Sequence, residues 1–202
     1  MHLDRLAVYI RGGWPAGAAR GRPRGRGCRD TAMPVRSVPV ELPGRVYFAT
    51  RSPVWGGGRA FYDPGAAGRV LARAHLVTAE QFADIAAQEM YREPGRDLDL
   101  SGVLAAGRAV LGPGRYETLV CAGWLDGVPV LTFTAPWSLG EVPYVAPAPA
   151  YRELLAAGLR ATRAWPDADI AAYLAGCPGA EGGAGEAASG GQAASPGEDG
   201  LP

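Results

Sequence analysis

The chain has 202 residues, 20 of them basic and 20 acidic, so its formal net charge is zero. That balance argues against a general affinity for nucleic acid or for an anionic membrane surface. No apolar run approaches the roughly 20 residues that span a bilayer.

Leu3, Leu6, Ala7 and Ile10 form a helical stripe that stops at Gly12-Gly13, with neither a capping residue nor a strand before it. Arg5 and Arg11 interrupt that stripe, so it does not read as a signal peptide. Arg20, Arg22, Arg24, Arg26 and Arg29 are interleaved with Gly and Pro. Without an aromatic residue for base stacking or a helical period, they read as a flexible surface loop. Every basic residue of the chain is arginine, which beside abundant Ala, Gly and Pro reads as the codon bias of a GC-rich genome.

Strands are expected over 46–49 and 58–62, with Trp55-Gly56-Gly57-Gly58 as a tight turn that lacks the Lys-Ser/Thr of a phosphate loop. Alternation of Val70, Ala72, Ala74 and Leu76 predicts a half-buried strand over 69–77. Further strands over 116–122 and 128–134 flank Asp126-Gly127, a hairpin signal. Tyr151, Leu154, Leu155, Gly158 and Leu159 mark an amphipathic helix, and a last one starts at Asp167. From Gly176 the chain is Gly, Ala, Ser, Pro and acids, so a disordered tail is expected over 176–202 behind one domain over 1–175. Strands without regular βαβ alternation favour an α+β fold.

Thr78 and Gln81 read as a capping box for a helix over 78–90. Phe82, Ile85, Ala86 and Glu89 share one face of it, and Glu80, Asp84 and Gln88 fall on the opposite, solvated one. Glu89 thus lies at the core-facing edge of the last turn. Desolvation and the negative end of the helix dipole both disfavour its charged form there, which suits a general acid/base. His2 and His75 are the only histidines and no metal-binding spacing exists, so no metal site is expected. Cys28, Cys121 and Cys177 have no disulfide or metal spacing and read as free thiols of a reducing cytoplasm, with Cys121 a buried small hydrophobe on a strand.

Phe61-Tyr62-Asp63-Pro64, the strand and short helix ending in Glu89, and Pro147-Ala148-Pro149-Ala150-Tyr151 with Gly158 seven residues after the tyrosine together resemble the γ-glutamylcyclotransferase-like family, over roughly 1–175. Family members carry Ser where this chain has Ala148. They also open with a strand and Tyr-Gly-Ser-Asn, and Met1 resembles the residue after that Asn. The resemblance therefore implies a missing first strand and loop, and with it either a start codon placed too far downstream or a natural remnant of the family.

It further implies a small, partly closed mixed β-barrel flanked by helices, with Glu89 catalytic and Tyr116 and Tyr151 lining the substrate pocket. The reaction would cyclise a small-molecule γ-glutamyl amide, releasing 5-oxoproline and an amine without a cofactor. A metabolite- or protein-binding module of the same fold is the alternative. Amide hydrolysis ranks below both, because a histone-deacetylase label finds no zinc-site residues in this sequence.

Overall fold

The computed structural model describes residues 2–14 and 24–181. It is an α+β structure whose elements follow their local signals closely where those signals are strong. Helix α1 (Leu3–Arg11) carries Leu6 and Ile10 into the core. It is capped after all: His2 Nδ1 accepts from the Asp4 N–H at 3.2 Å, and the sequence reading missed it because histidine is not a usual N-cap.

Seven strands are described: β1 (Ser37–Pro43), β2 (Arg45–Arg51), β3 (Gly58–Asp63), β4 (Arg69–His75), β5 (Arg108–Val110), β6 (Thr118–Leu125) and β7 (Val128–Thr134). They form three antiparallel sheets, β1–β4, β2–β3 and β5–β6–β7. None closes into a barrel and no parallel pair occurs among them, which corrects the expected mixed barrel. The reason is visible where β3 meets β7. There the Thr134 hydroxyl, not a backbone ladder, bridges the strands, accepting from the Tyr62 N–H at 3.1 Å and donating to the Tyr62 carbonyl at 2.7 Å.

Strand β1 was not expected, because Pro39 and Pro43 lack an N–H and count against strand. The short helix α3 (Ser101–Ala106) and β5 were missed too; three strand residues hold no readable period. The hairpin forms as its turn chemistry demands, with Asp126 and Gly127 at φ 52° and 77° joining β6 to β7. Cys121 on β6 is half-buried rather than buried.

Helix α2 (Ala79–Glu89) has the full capping box: the Gln81 N–H donates to Thr78 Oγ1 at 3.0 Å, and the Thr78 N–H donates to Gln81 Oε1 at 3.1 Å. Phe82 and Ala86 pack with Val103 and Leu119, while Ile85 packs with Leu6, Ile10 and Cys28 of the α1 side. The face expected to be solvated is not. Asp84 is fully buried, because the chain entering from residue 24 lies along that face.

The part of the arginine loop that is described is therefore anchored. The Arg29 N–H donates to Asp84 Oδ2 at 2.8 Å and its Nε at 3.1 Å, while Nη2 pairs with Asp97 at 2.8 Å. Arg26 pairs with Glu93 at 2.5 Å. Arg20 and Arg22 lie outside the described residues.

Helices α4 (Pro149–Arg160) and α5 (Asp167–Ala175) pack Ala156, Leu159, Ile170 and Leu174 on Leu71 of β4. The first residues of the expected tail belong to the domain, contrary to the sequence reading. Cys177 and Ala180 are buried against Phe48 of β2, and the Phe48 N–H donates to the Pro178 carbonyl at 2.8 Å. Residues 182–202 lie outside the description. Deleting 176–202 is accordingly expected to cost about 2 kcal/mol, one hydrogen bond plus the re-exposed ring, or roughly 4–8 °C in Tm. Thermal unfolding of the shortened chain measures this, and an unchanged Tm would mean that the contacts on Phe48 contribute nothing.

No helix among the described residues is long and apolar enough to cross a membrane.

Candidate active site

The last turn of α2 opens on a cavity of about 500 Å³. Its walls are α1, the turn between β2 and β3, Ala60 of β3, Tyr116 just before β6, and the first turns of α4. All three residues singled out from the sequence, Glu89, Tyr116 and Tyr151, line it. They come from segments far apart in the chain, so the fold brings them together.

The glycine run decides how α4 reaches the site. The Gly58 N–H donates to the Ala146 carbonyl at 2.7 Å. A Cβ on Gly58 would stand 1.8 Å from the Val145 carbonyl oxygen, and one on Gly57 2.3 Å from the Ala148 nitrogen. Only glycine permits this approach of turn and helix start. The result is that Trp55 stacks on Tyr151 with ring centroids 5.4 Å apart. Ala148 is the N-cap of α4 and offers no side-chain cap, the cost of having Ala where the resembling motif has Ser.

Glu89 is half-buried, and its Oε1 accepts a hydrogen bond from the Tyr9 hydroxyl. Arg5 Nη2 donates to the same hydroxyl at 3.0 Å, and its guanidinium lies 5.5 Å from the centre of the Tyr9 ring and 5.8 Å from that of Trp55. Arg5 and Tyr9 were not singled out from the sequence. Their i, i+4 spacing puts them on one face of α1, which was the available signal. Arg59 was missed as well. It lines the cavity, is almost wholly buried, and donates to Thr50 Oγ1 at 3.1 Å and the Arg51 carbonyl at 2.7 Å. Tyr116 stacks on Phe61 at 5.4 Å and meets Phe133 edge-on at 6.2 Å.

Burial pushes the phenols of Tyr9, Tyr116 and Tyr151 above their ordinary value, and the nearby Glu89 carboxylate pushes each of them further. All three therefore remain O–H groups at neutral pH. Burial lowers the Arg5 guanidinium, but Tyr9 and Glu89 outweigh it and the net shift is upward. Chemically, the site offers one carboxylate for proton transfer, the un-ionised hydroxyls of Tyr9, Tyr116 and Tyr151, and a cationic lining that includes Arg5 and Arg59.

Among the described residues no group of three or more His, Cys, Asp or Glu side chains could hold a metal ion. His75 sits on β4 with its Nδ1 2.8 Å from Ser37 Oγ, outside the cavity. A smaller hollow of about 210 Å³ between Arg45, Arg69, Tyr173 and Cys177 contains no carboxylate in its lining. Comparisons with protein-family models, with curated proteins and with solved structures give no match for this chain.

Proposed function

We propose that the chain is a γ-glutamylcyclotransferase-like enzyme that cyclises a small-molecule γ-glutamyl amide to 5-oxoproline and a free amine. The observation that carries this reading is Glu89, the one carboxylate among the described residues that line the cavity, beside the un-ionised Tyr9, Tyr116 and Tyr151. Two of those tyrosines, and Glu89 itself, are the positions that the family resemblance singles out. The γ-glutamylcyclotransferase-like form of the α+β fold is part of the same proposal.

The chemistry needs little more than this set. Glu89 takes a proton from the substrate's α-ammonium, and the freed amine attacks the γ-carbonyl within the same molecule. The tethered nucleophile replaces a bimolecular encounter, which supplies much of the acceleration. Tyr116 and Tyr151 present hydroxyl donors for the oxyanion of the tetrahedral intermediate. The protonated Glu89 returns that proton to the departing nitrogen as the amide C–N bond breaks, and the second proton of the attacking nitrogen, passed through the same carboxylate, leaves with the amine as an ammonium. No water is consumed and no redox step occurs, so atoms and charge balance with no cofactor. Arg5 and Arg59 give the cavity a positive field that attracts the substrate's α-carboxylate. Three unpaired thiols suit the reducing cytoplasm that this proposal includes.

Incubation of the purified chain with a panel of γ-glutamyl amino acids and γ-glutamyl amines, with 5-oxoproline quantified by chromatography, tests the proposal. Release from at least one member at a rate proportional to enzyme concentration is expected. Calorimetric binding of the same compounds without any release would turn the reading to the metabolite-binding module.

A further inference from the structure

We propose that Tyr9 is a positioning residue for Glu89, fixing which carboxylate oxygen faces the cavity as the proton acceptor. The inference rests on the reading of Glu89 as the proton-transfer group. A phenol has a single hydrogen and oxygen lone pairs. Arg5 Nη2 is a donor only, so at 3.0 Å it occupies a lone pair of the Tyr9 oxygen. The phenol hydrogen is left to point at Glu89 Oε1, which can only accept while ionised. Arg5, Tyr9 and Glu89 thus form a one-directional series of hydrogen bonds running from α1 to the end of α2. Oε1 is engaged, and Oε2 is the oxygen left for substrate.

Two further contacts show that this alignment is built into the fold. Gln88, the neighbour of Glu89, donates from Nε2 to the Tyr9 carbonyl at 3.0 Å, and the Arg26 N–H donates to Gln88 Oε1 at 3.2 Å. The backbone of Tyr9 and its hydroxyl are therefore tied to consecutive residues of one helical turn. Burial and the Glu89 charge keep the phenol protonated, so the donor persists through the working pH range. The other charged and titratable groups that line the cavity with Glu89 are His2 before α1, Arg24 and Arg26 of the entering segment, Arg59 of β3, Tyr91 and Arg92 after α2, Tyr116 before β6 and Tyr151 of α4. None of these is a hydrogen-bond donor to the Glu89 carboxylate among the described residues, so Tyr9 alone fills that role.

The test is Tyr9→Phe, which keeps the ring and removes the donor. Carboxyl ¹³C spectra of glutamate-labelled protein, with Glu89 assigned by its loss in Glu89→Gln, are compared at one neutral pH. Losing the phenol donor should displace the Glu89 carboxyl resonance. In parallel, kcat should fall about tenfold with KM little changed.

An undisplaced Glu89 resonance overturns the positioning role, even if turnover falls. A wild-type chain that releases no 5-oxoproline defeats the functional reading, while a resonance displaced by Tyr9→Phe still upholds the Tyr9–Glu89 alignment. If Tyr9→Phe does not fold, Arg5→Met frees the phenol to rotate. The Glu89 resonance should then be displaced by a smaller amount, and no displacement in that variant overturns the proposal.

Discussion

Glu89→Gln is expected to lower 5-oxoproline release by roughly 10²–10⁴-fold while leaving the melting temperature almost unchanged. Glutamine keeps the length and branching of the side chain. Its amide oxygen can still accept from the Tyr9 hydroxyl, so the contact between α1 and α2 survives. What it loses is the capacity to take the α-ammonium proton and to return one to the leaving nitrogen, both of which the proposed reaction assigns to this group. Tyr116 and Tyr151 remain to bind and polarise the carbonyl, so KM should change far less than kcat. Initial rates at saturating substrate, beside a thermal melt of the same preparation, decide the matter. Turnover within a few-fold of wild type would remove Glu89 from the proton-transfer role and leave the cavity as a binding site.

The sequence was most legible where the signal was local. The Thr78–Gln81 capping box, the Asp126-Gly127 turn and the glycine run after Trp55 each act within a few residues, and each does what its chemistry predicts. Glu89 could be picked out for the same reason, since its face follows from the helical period of Phe82, Ile85 and Ala86. The expectations that failed concern partners distant in sequence. Asp84 looked solvated because nothing near it announces Arg29, whose segment arrives from 55 residues away. Tyr9 reaches Glu89 across 80 residues, so neither implied the other. The residues after Gly176 have a tail's composition, yet Phe48 gives Cys177 and Ala180 a surface to cover. Pro39 hides β1 by removing a donor from a strand whose other residues still pair with β4 over the full length from Ser37 to Pro43.

Asp84→Ala is expected to be the most damaging single substitution to stability, lowering Tm by roughly 6–12 °C for a loss of about 3 kcal/mol. The carboxylate is fully buried and accepts four hydrogen bonds from three donors on two segments: the Arg29 N–H and Nε, the latter reaching both oxygens, and, on Oδ1, the Gly95 N–H at 2.8 Å. Burial alone would raise its pKa, but the hydrogen bonds from Arg29 and Gly95 outweigh burial, and the folded value lies below the ordinary one. A carboxylate with a depressed folded pKa stabilises the protein fully above its unfolded value, near pH 4, and that contribution is lost as pH falls through the folded value. Wild-type Tm should therefore drop steeply below about pH 4, and the drop should be shallower in Asp84→Ala, so that the two curves converge in acid. The convergence separates this charge effect from a simple packing defect, which would keep the curves parallel. The consequence reaches the cavity as well. Arg29 holds the segment whose Gly25 and Arg26 form part of the cavity wall, and whose Arg26 N–H fixes Gln88 beside Glu89. Loss of the Asp84 anchor should thus reduce turnover even at temperatures where the variant is folded, and full activity in a folded Asp84→Ala protein would show that the anchor serves stability alone.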